Sequence, residues 1–414
     1  MPVTDLSAGN SRSSAICSFD QAIPRRASRS AKWDRQDQLL DPRGELDLLH
    51  FSVADMDFAL PPELQAYYQK LLDQGVLGYA ALEPDFARSV AAWQARRHGI
   101  ELDEDWLVFA PRIKTAMQIL VEFLTEVGDS CLEHVPLYPP LQQALRGQGR
   151  LVLESRLRED ETGRWRFDLA EMEALLRPDT RLIVFCNPHN PTGRVWSREE
   201  LEQLGDFVLR HKLWLIVDEI HADILREGQR HQSLLGYRPD LDGRLIIVSS
   251  LNKAFGVTGV PLAWLVIPNA DLRARVQERL ALLGLSEPSS LAAGLAPVAY
   301  GRCVAWLDQM LAYVDDNEDW LRQTFARRFP ELRICRREGS FTLWIDARKL
   351  GLSDEALHRF LLREARINLY AGSHFGPSGA GFLRWTIACP RSLLEEALRR
   401  LERAWPQRVR YLTE

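Results

Sequence analysis

The chain has 414 residues, 46% hydrophobic and 26% charged, with 52 basic against 57 acidic side chains for a net charge of −5. Such a composition is ordinary for a globular chain of two or three domains. The balance of charge excludes the broad basic footprint of a nucleic-acid binder, and no run of about 18 consecutive apolar residues is present to span a membrane.

The first thirty residues are rich in Ser and Arg and lack an apolar segment. Residues 1–30 are therefore read as a flexible N-terminal arm and not as a secretory signal. Thr115-Ala-Met-Gln118 has the form of a capping box and opens a helix after Ile113-Lys114. From about residue 105 to 270, short apolar strands alternate with helical patterns, with strands predicted over 182–186, 213–217, 245–248 and 263–267. Ser197-Arg-Glu-Glu200 is a second capping box, starting an amphipathic helix that runs to about His211. Apolar strands separated by helices predict an α/β fold whose central sheet is mainly parallel and covered on both faces. Beyond residue 290 come helical patterns over 291–299 and Val304–Arg328, a strand over 340–346, and a helix capped by Ser353. A turn-rich loop over 371–381, a strand over 382–388 and a helix opened by Ser392-Leu-Leu-Glu395 complete the chain. This predicts a large domain over 50–290 and a smaller α+β domain made of 31–49 and 291–414.

Six cysteines, Cys17, Cys131, Cys186, Cys303, Cys335 and Cys389, are widely spaced with no CxxC pair. They read as thiols of a reducing compartment, the cytoplasm, and give no zinc site. Lysine occurs only at positions 32, 70, 114, 212, 253 and 349, which narrows the search for an amine nucleophile to six places.

Ligands of parallel sheets bind beyond the carboxyl ends of the strands. Three predicted strands end in Asn187-Pro-His-Asn-Pro-Thr-Gly-Arg194, Asp218-Glu-Ile-His-Ala-Asp223 and Ser249-Ser-Leu-Asn-Lys253. Each alone reads as turn punctuation, a helix cap or a surface lysine. Together they bring an amide, a carboxylate and an amine to one rim, and those groups match pyridoxal phosphate. Its aldehyde needs an amine, and Lys253 closes an apolar strand where desolvation frees its lone pair. Its ring nitrogen needs an anion, which Asp218 supplies, and its ring hydroxyl a donor, which Asn190 supplies. Its phosphate needs N–H groups at a helix start, which the Thr115-Ala-Met-Gln118 capping box offers, with the hydroxyl of Ser250.

The same runs resemble the fold-type I pyridoxal-phosphate enzymes of the aminotransferase class I/II superfamily. Lys32-Trp-Asp34, Val53-Ala-Asp-Met-Asp-Phe58, Gly78-Tyr79, Tyr138-Pro-Pro140, Asp218-Glu-Ile-His221 and Ala388-Cys-Pro-Arg391 resemble in particular its cystathionine β-lyase, or C–S lyase, branch (the MalY/PatB-type group). The resemblance runs from about residue 32 to 400. It implies that Lys253 holds the cofactor and then shuttles the substrate Cα proton, that Asp218 pairs with the ring nitrogen, and that Asn190 holds the ring oxygen. Tyr138 would stack on the ring, and the Ile113 and Lys114 amides would meet the phosphate. Tyr79 would reach into the site of a neighbouring subunit, implying a homodimer with active sites at its interface. Arg384 would pair with the substrate carboxylate, and the loops around Asp55, Gly339 and His374 would read its side chain. The family's frequent arginine eight residues after the lysine is replaced by Pro261, and His221 stands where transaminases carry tyrosine; both features match the lyase branch. Arg112-Ile113-Lys114 and Asn252 depart from that branch, and Lys114 is expected to supply the charge that Pro261 withholds. The implied activity is elimination of a thiol from cystathionine or another cysteine S-conjugate. An aminotransferase, or a specialised biosynthetic enzyme acting on an unusual amino acid, is the alternative.

Overall fold

The strands expected between residues 105 and 270 assemble into one seven-stranded sheet in the computed structural model, which describes residues 17–412. Its strands are β1 (Leu107–Ala110), β2 (Ser130–Val135), β3 (Leu151–Arg156), β4 (Thr180–Cys186), β5 (Trp214–Asp218), β6 (Leu245–Ser249) and β7 (Ala263–Val266). They lie in the order β1-β7-β6-β5-β4-β2-β3. The run from β6 to β3 is parallel throughout, and β7 is antiparallel to both of its neighbours. Alternate residues feed two cores. Ile183, Phe185, Leu215, Val217 and Ile247 face one side, and Leu182, Val184, Ile216, Ile246 and Val248 the other. Each such side chain contributes roughly 1.5–3 kcal/mol on burial, which is why the strands are apolar on both faces.

The helices that frame the site and its supports are α1 (Asp85–His98), α2 (Ile113–Leu124), α3 (Pro139–Arg146), α4 (Arg198–Arg210), α5 (Ala270–Leu282), α6 (Val304–Arg328) and α7 (Arg391–Ala404). Helices α2, α3 and α5 cover the second core, while α1 and α4 bury Trp93 and Phe207 in the first. The capping box of α4 is complete: Ser197 Oγ accepts from Glu200 N at 3.3 Å, and Glu200 Oε2 accepts from Ser197 N at 2.8 Å. After α6 a second, antiparallel sheet forms from β8 (Arg333–Ile334), β9 (Thr342–Asp346), β10 (Tyr370–Ala371) and β11 (Phe382–Thr386), in the order β8-β9-β11-β10. Helix α7 buries Leu394, Leu398 and Leu401 in the core shared with this sheet.

Several boundaries differ from expectation. Helix α2 opens at Ile113, behind an extended Arg112 with no side-chain cap, so Thr115 lies inside its first turn and is not its cap. The helix expected over 291–299 begins at Leu295, and α7 begins at Arg391 behind Pro390 instead of at a Ser392 box. Of the arm predicted over 1–30, residues 1–16 lie outside the described residues. Within residues 17–30, individual side chains anchor the segment to the body. Phe19 is buried against Phe58 and Trp306 at centroid distances of 5.1 and 5.5 Å. Arg25 donates to Asp55 at 2.8 Å and to Asp57 at 3.0 Å. Composition could not foresee this, because the anchors are tertiary partners far along the chain. Among the described residues no helix is long and apolar enough to cross a membrane, and no three His, Cys, Asp or Glu side chains gather as metal ligands.

Candidate active site

The parallel register brings the three polar strand ends together. Cys186 of β4 pairs with Asp218 of β5, and Asp218 with Val248 of β6, so the chain leaves all three strands on one rim. Above that rim lies a cavity of about 330 Å3, lined by Asn190, Asp218, His221, Ser250 and Lys253 from the strand ends and by Ile113, Lys114 and Tyr138 from the starts of α2 and α3.

Burial sets the electrostatics. Asp218 accepts one protein hydrogen bond, from Ile220 N at 3.0 Å. Desolvation pushes its carboxyl up to about 6, with the Ile220 N–H and the Lys253 charge pulling the other way. Lys253 is drawn down to about 8, chiefly by burial and further by Arg384, with Asp55 and Asp218 opposing. Its Nζ donates to the Ala54 carbonyl. His221 packs edge-on to Phe341 at 5.8 Å, and its buried Nδ1 has no partner among the described residues. Burial, helped by Lys253 and Arg384, holds this imidazole neutral.

Arg384 projects from β11 and is 1% exposed. It donates to Asn190 Oδ1 at 3.0 Å and to the Ser52 carbonyl at 2.6 Å, while its buried Nε has no partner among the described residues. Burial lowers its pKa to about 10, the nearby Tyr138 and Tyr370 hydroxyls countering. The guanidinium lies 4.7 Å from the Phe375 ring and 5.2 Å from that of Tyr370.

Pyridoxal phosphate fits this donor set. Lys253 is a buried amine of reduced basicity, and Asp218 is a buried carboxyl short of a counter-charge. The Asn190 carbonyl is engaged by Arg384, which leaves its amide N–H to meet a ring oxygen. At α2, helix geometry leaves the first N–H groups without intrahelical acceptors, and they sit at the cavity beside Arg112 and Lys114, the anion-binding arrangement of a helix start. The Ser250 hydroxyl lines the cavity too, but its proton goes to the Leu262 carbonyl at 2.6 Å.

Other expected residues lie apart. Tyr79 is fully exposed in this chain and lines no part of the cavity. Asp55 borders the site through Thr258, whose Oγ1 donates to it at 2.6 Å, and its second oxygen goes to Arg25. It thus ties the wall together at the edge of the site. His374 is exposed and stacks on Tyr370 at 4.4 Å. Sequence reasoning missed the support beneath Asp55. Lys32 Nζ, wholly buried, donates to Asp57 at 2.6 Å and to the Asp55 carbonyl at 2.8 Å, and Trp33 Nε1 donates to Asp57 at 2.9 Å. Two carboxylates at 55 and 57 call for cations; Lys32, one of six lysines, was the available signal, whereas Arg25 is lost among 46 arginines.

Comparison with known proteins agrees with this geometry. The chain is 30% identical over 387 residues to the cystathionine β-lyase PatB of Bacillus subtilis, covering 93% of this chain and 99% of PatB. It is 31% identical to protein MalY of Escherichia coli, covering 92% and 96% of the two chains. The crystal structure of cystalysin from Treponema denticola, which contains pyridoxal 5'-phosphate, superposes with a TM-score of 0.90 at 31% identity over 95% of this chain and 99% of that one. Residues 47–401 match the family described as aminotransferase class I and II, and the chain belongs to that family.

Proposed function

We propose that the chain is a pyridoxal-phosphate-dependent C–S β-lyase that releases a thiol, pyruvate and ammonia from cystathionine or another cysteine S-conjugate. The observation that carries the reading is Lys253, a buried amine drawn down to about 8 in a cavity that also holds Asp218 and Asn190. The choice of elimination over transamination rests on His221, on Pro261, and on the likeness to PatB and cystalysin.

When bound, the cofactor supplies an electron sink that makes the substrate Cα–H acidic. Arg384 holds the substrate carboxylate with the N–H groups left over from Asn190 and Ser52, a two-pronged contact that orients Cα. Lys253 Nζ, poised near neutrality, takes the Cα proton. Asp218 would hold the ring nitrogen, its carboxylate supplying the counter-charge that keeps the ring an electron sink. Carrying that proton, Lys253 Nζ would pass it to the sulfur as the Cβ–S bond breaks, so that a thiol leaves, and water would hydrolyse the released enamine to pyruvate and ammonia. Neutral His221 sits where a cation would compete with Lys253. The working unit is proposed to be a homodimer in which the exposed Tyr79 enters the other chain's site. The buried thiols Cys131, Cys186, Cys303, Cys335 and Cys389 suit the cytoplasm.

Cofactor-loaded protein mixed with L-cystathionine, without any keto acid, is expected to release pyruvate and thiol in equal amounts. Conversion of the cofactor to its aminated form without pyruvate would replace the lyase reading by transamination. Lys253→Ala is expected to abolish the visible band of the lysine–cofactor linkage, and survival of that band would move the linkage to another lysine.

A further inference from the structure

The segment from Asp218 to Asp223 has two faces. Asp218, Ile220 and His221 line the cofactor cavity, whereas Glu219 and Asp223 do not. Two consecutive turns create the split, closed by Ala222 N to the Glu219 carbonyl and Ile224 N to the His221 carbonyl, both at 2.9 Å. Behind them Asp223 Oδ1 accepts from Trp93 Nε1 and from His98 Nε2, each at 2.8 Å. Glu219 Oε2 lies 3.1 Å from His231 Nε2, and the His98 and His231 rings meet edge-on at 5.2 Å. All four side chains are at least nine-tenths buried. Trp93 is itself clamped, stacked on Tyr300 at 4.8 Å.

Against burial, which raises it, the His98 and Trp93 hydrogen bonds hold Asp223 below the ordinary carboxylate range. An ionised Asp223 only accepts, so His98 Nε2 carries a proton. The front face has no such support, because Asp218 is held by one backbone N–H alone. A carboxylate at a strand end, fixed by one bond, swings with the turn beyond it. The turn is itself fixed from behind by a helix end at His98, against which the His231 ring packs.

We propose that His98 and Asp223, with the His231 ring packed on His98, are positioning residues that lock the 218–223 turn and so aim Asp218 and His221 at the cofactor. None of the three lines the cavity, so their effect on bound cofactor is indirect. The inference rests on the proposed cofactor and is independent of whether the bound substrate is eliminated or transaminated.

The test titrates cofactor-free protein with pyridoxal phosphate and follows tryptophan quenching and the visible circular dichroism of the bound cofactor. Binding by the wild-type protein is the control; its absence would overturn the cofactor reading itself. His98→Phe is expected to weaken binding about tenfold, the scale of one orienting hydrogen bond, and to change the visible dichroism. His98→Gln, which keeps an N–H within reach of Asp223, is expected to restore both to within about threefold. If His98→Phe does not fold, Asp223→Asn carries the same expectation. Wild-type affinity and dichroism in the folded variant, even with a lower melting temperature, would reduce the cluster to a packing role and overturn the proposal.

Discussion

Asp218 and Lys253 are both buried, and each departs from its ordinary pKa in the direction that burial dictates. The cofactor-free chain therefore carries two groups whose charged forms are penalised, and their cost has a definite pH signature. Asp218 keeps its proton to about 6 in the folded chain but only to about 4 when unfolded. Between those values the folded chain binds more protons, so its stability falls as pH rises through the window. Asp218→Asn cannot ionise, and without cofactor it is expected to be more stable than wild type above pH 6 by about 3 kcal/mol. That advantage should vanish towards pH 4. With cofactor bound the order should reverse, because the ring cation then offsets the buried carboxylate; urea titrations with and without cofactor measure both. Arg384 invites a different measurement. Its contacts with Asn190 and Ser52 fix the guanidinium and leave N–H groups for a two-pronged grip on the substrate carboxylate, so Arg384→Ala is expected to raise KM about a hundredfold with a smaller change in kcat, and Arg384→Lys should not repair it. An unchanged KM would place the substrate carboxylate elsewhere.

Helix α2 shows how one element can be legible in kind and wrong in register. The Thr115 capping-box pattern announces a helix, yet the helix is capped three residues earlier, at Arg112, which is extended and whose carbonyl accepts from Ala116 N at 3.0 Å. The shift is functional, since it makes Ile113 and Lys114 the first helical residues and points the first turn at the cavity. Arg112 and Lys114 then stand exposed at a helix N-terminus that favours an anion. Lys114→Ala is expected to speed cofactor loss on dialysis about threefold, and Arg112→Ala with it about tenfold, both effects shrinking in high salt as exposed charges are screened. Retention equal to wild type at low salt would mean that the backbone N–H groups suffice. The strands fared better: β4, β5 and β6 fall within a residue or two of expectation, because strands buried on both faces are continuous apolar runs with polar residues only at their ends. For the same reason residue type and place alone point to Asn190, Asp218 and Lys253, and the three line one cavity. Arg384 has no such mark; β11 is apolar around it, and only resemblance separated it from the other arginines.

At the scale of the molecule, what the sequence hid is long-range. Arg25 and Lys32 lie outside every periodic pattern, and their roles appear only when the chain returns to Asp55 and Asp57. Tyr79 poses the complementary problem, a residue tied by resemblance to the site yet fully exposed, with Val76 and Leu77 exposed beside it. Exposed apolar side chains of this size next to one another mark a contact surface, and a two-fold dimer places the same patch on both chains. If Tyr79 serves the other chain's site, Tyr79→Ala and Lys253→Ala are each expected to be nearly inactive alone. Mixed after unfolding and refolding together, they should regain activity, because a hybrid dimer holds one site with both residues intact. Random pairing makes half of the dimers hybrid, each with one working site, so about a quarter of wild-type activity is expected. A mixture that forms dimers but stays inactive would confine each site to its own chain, leaving Tyr79 to the interface alone.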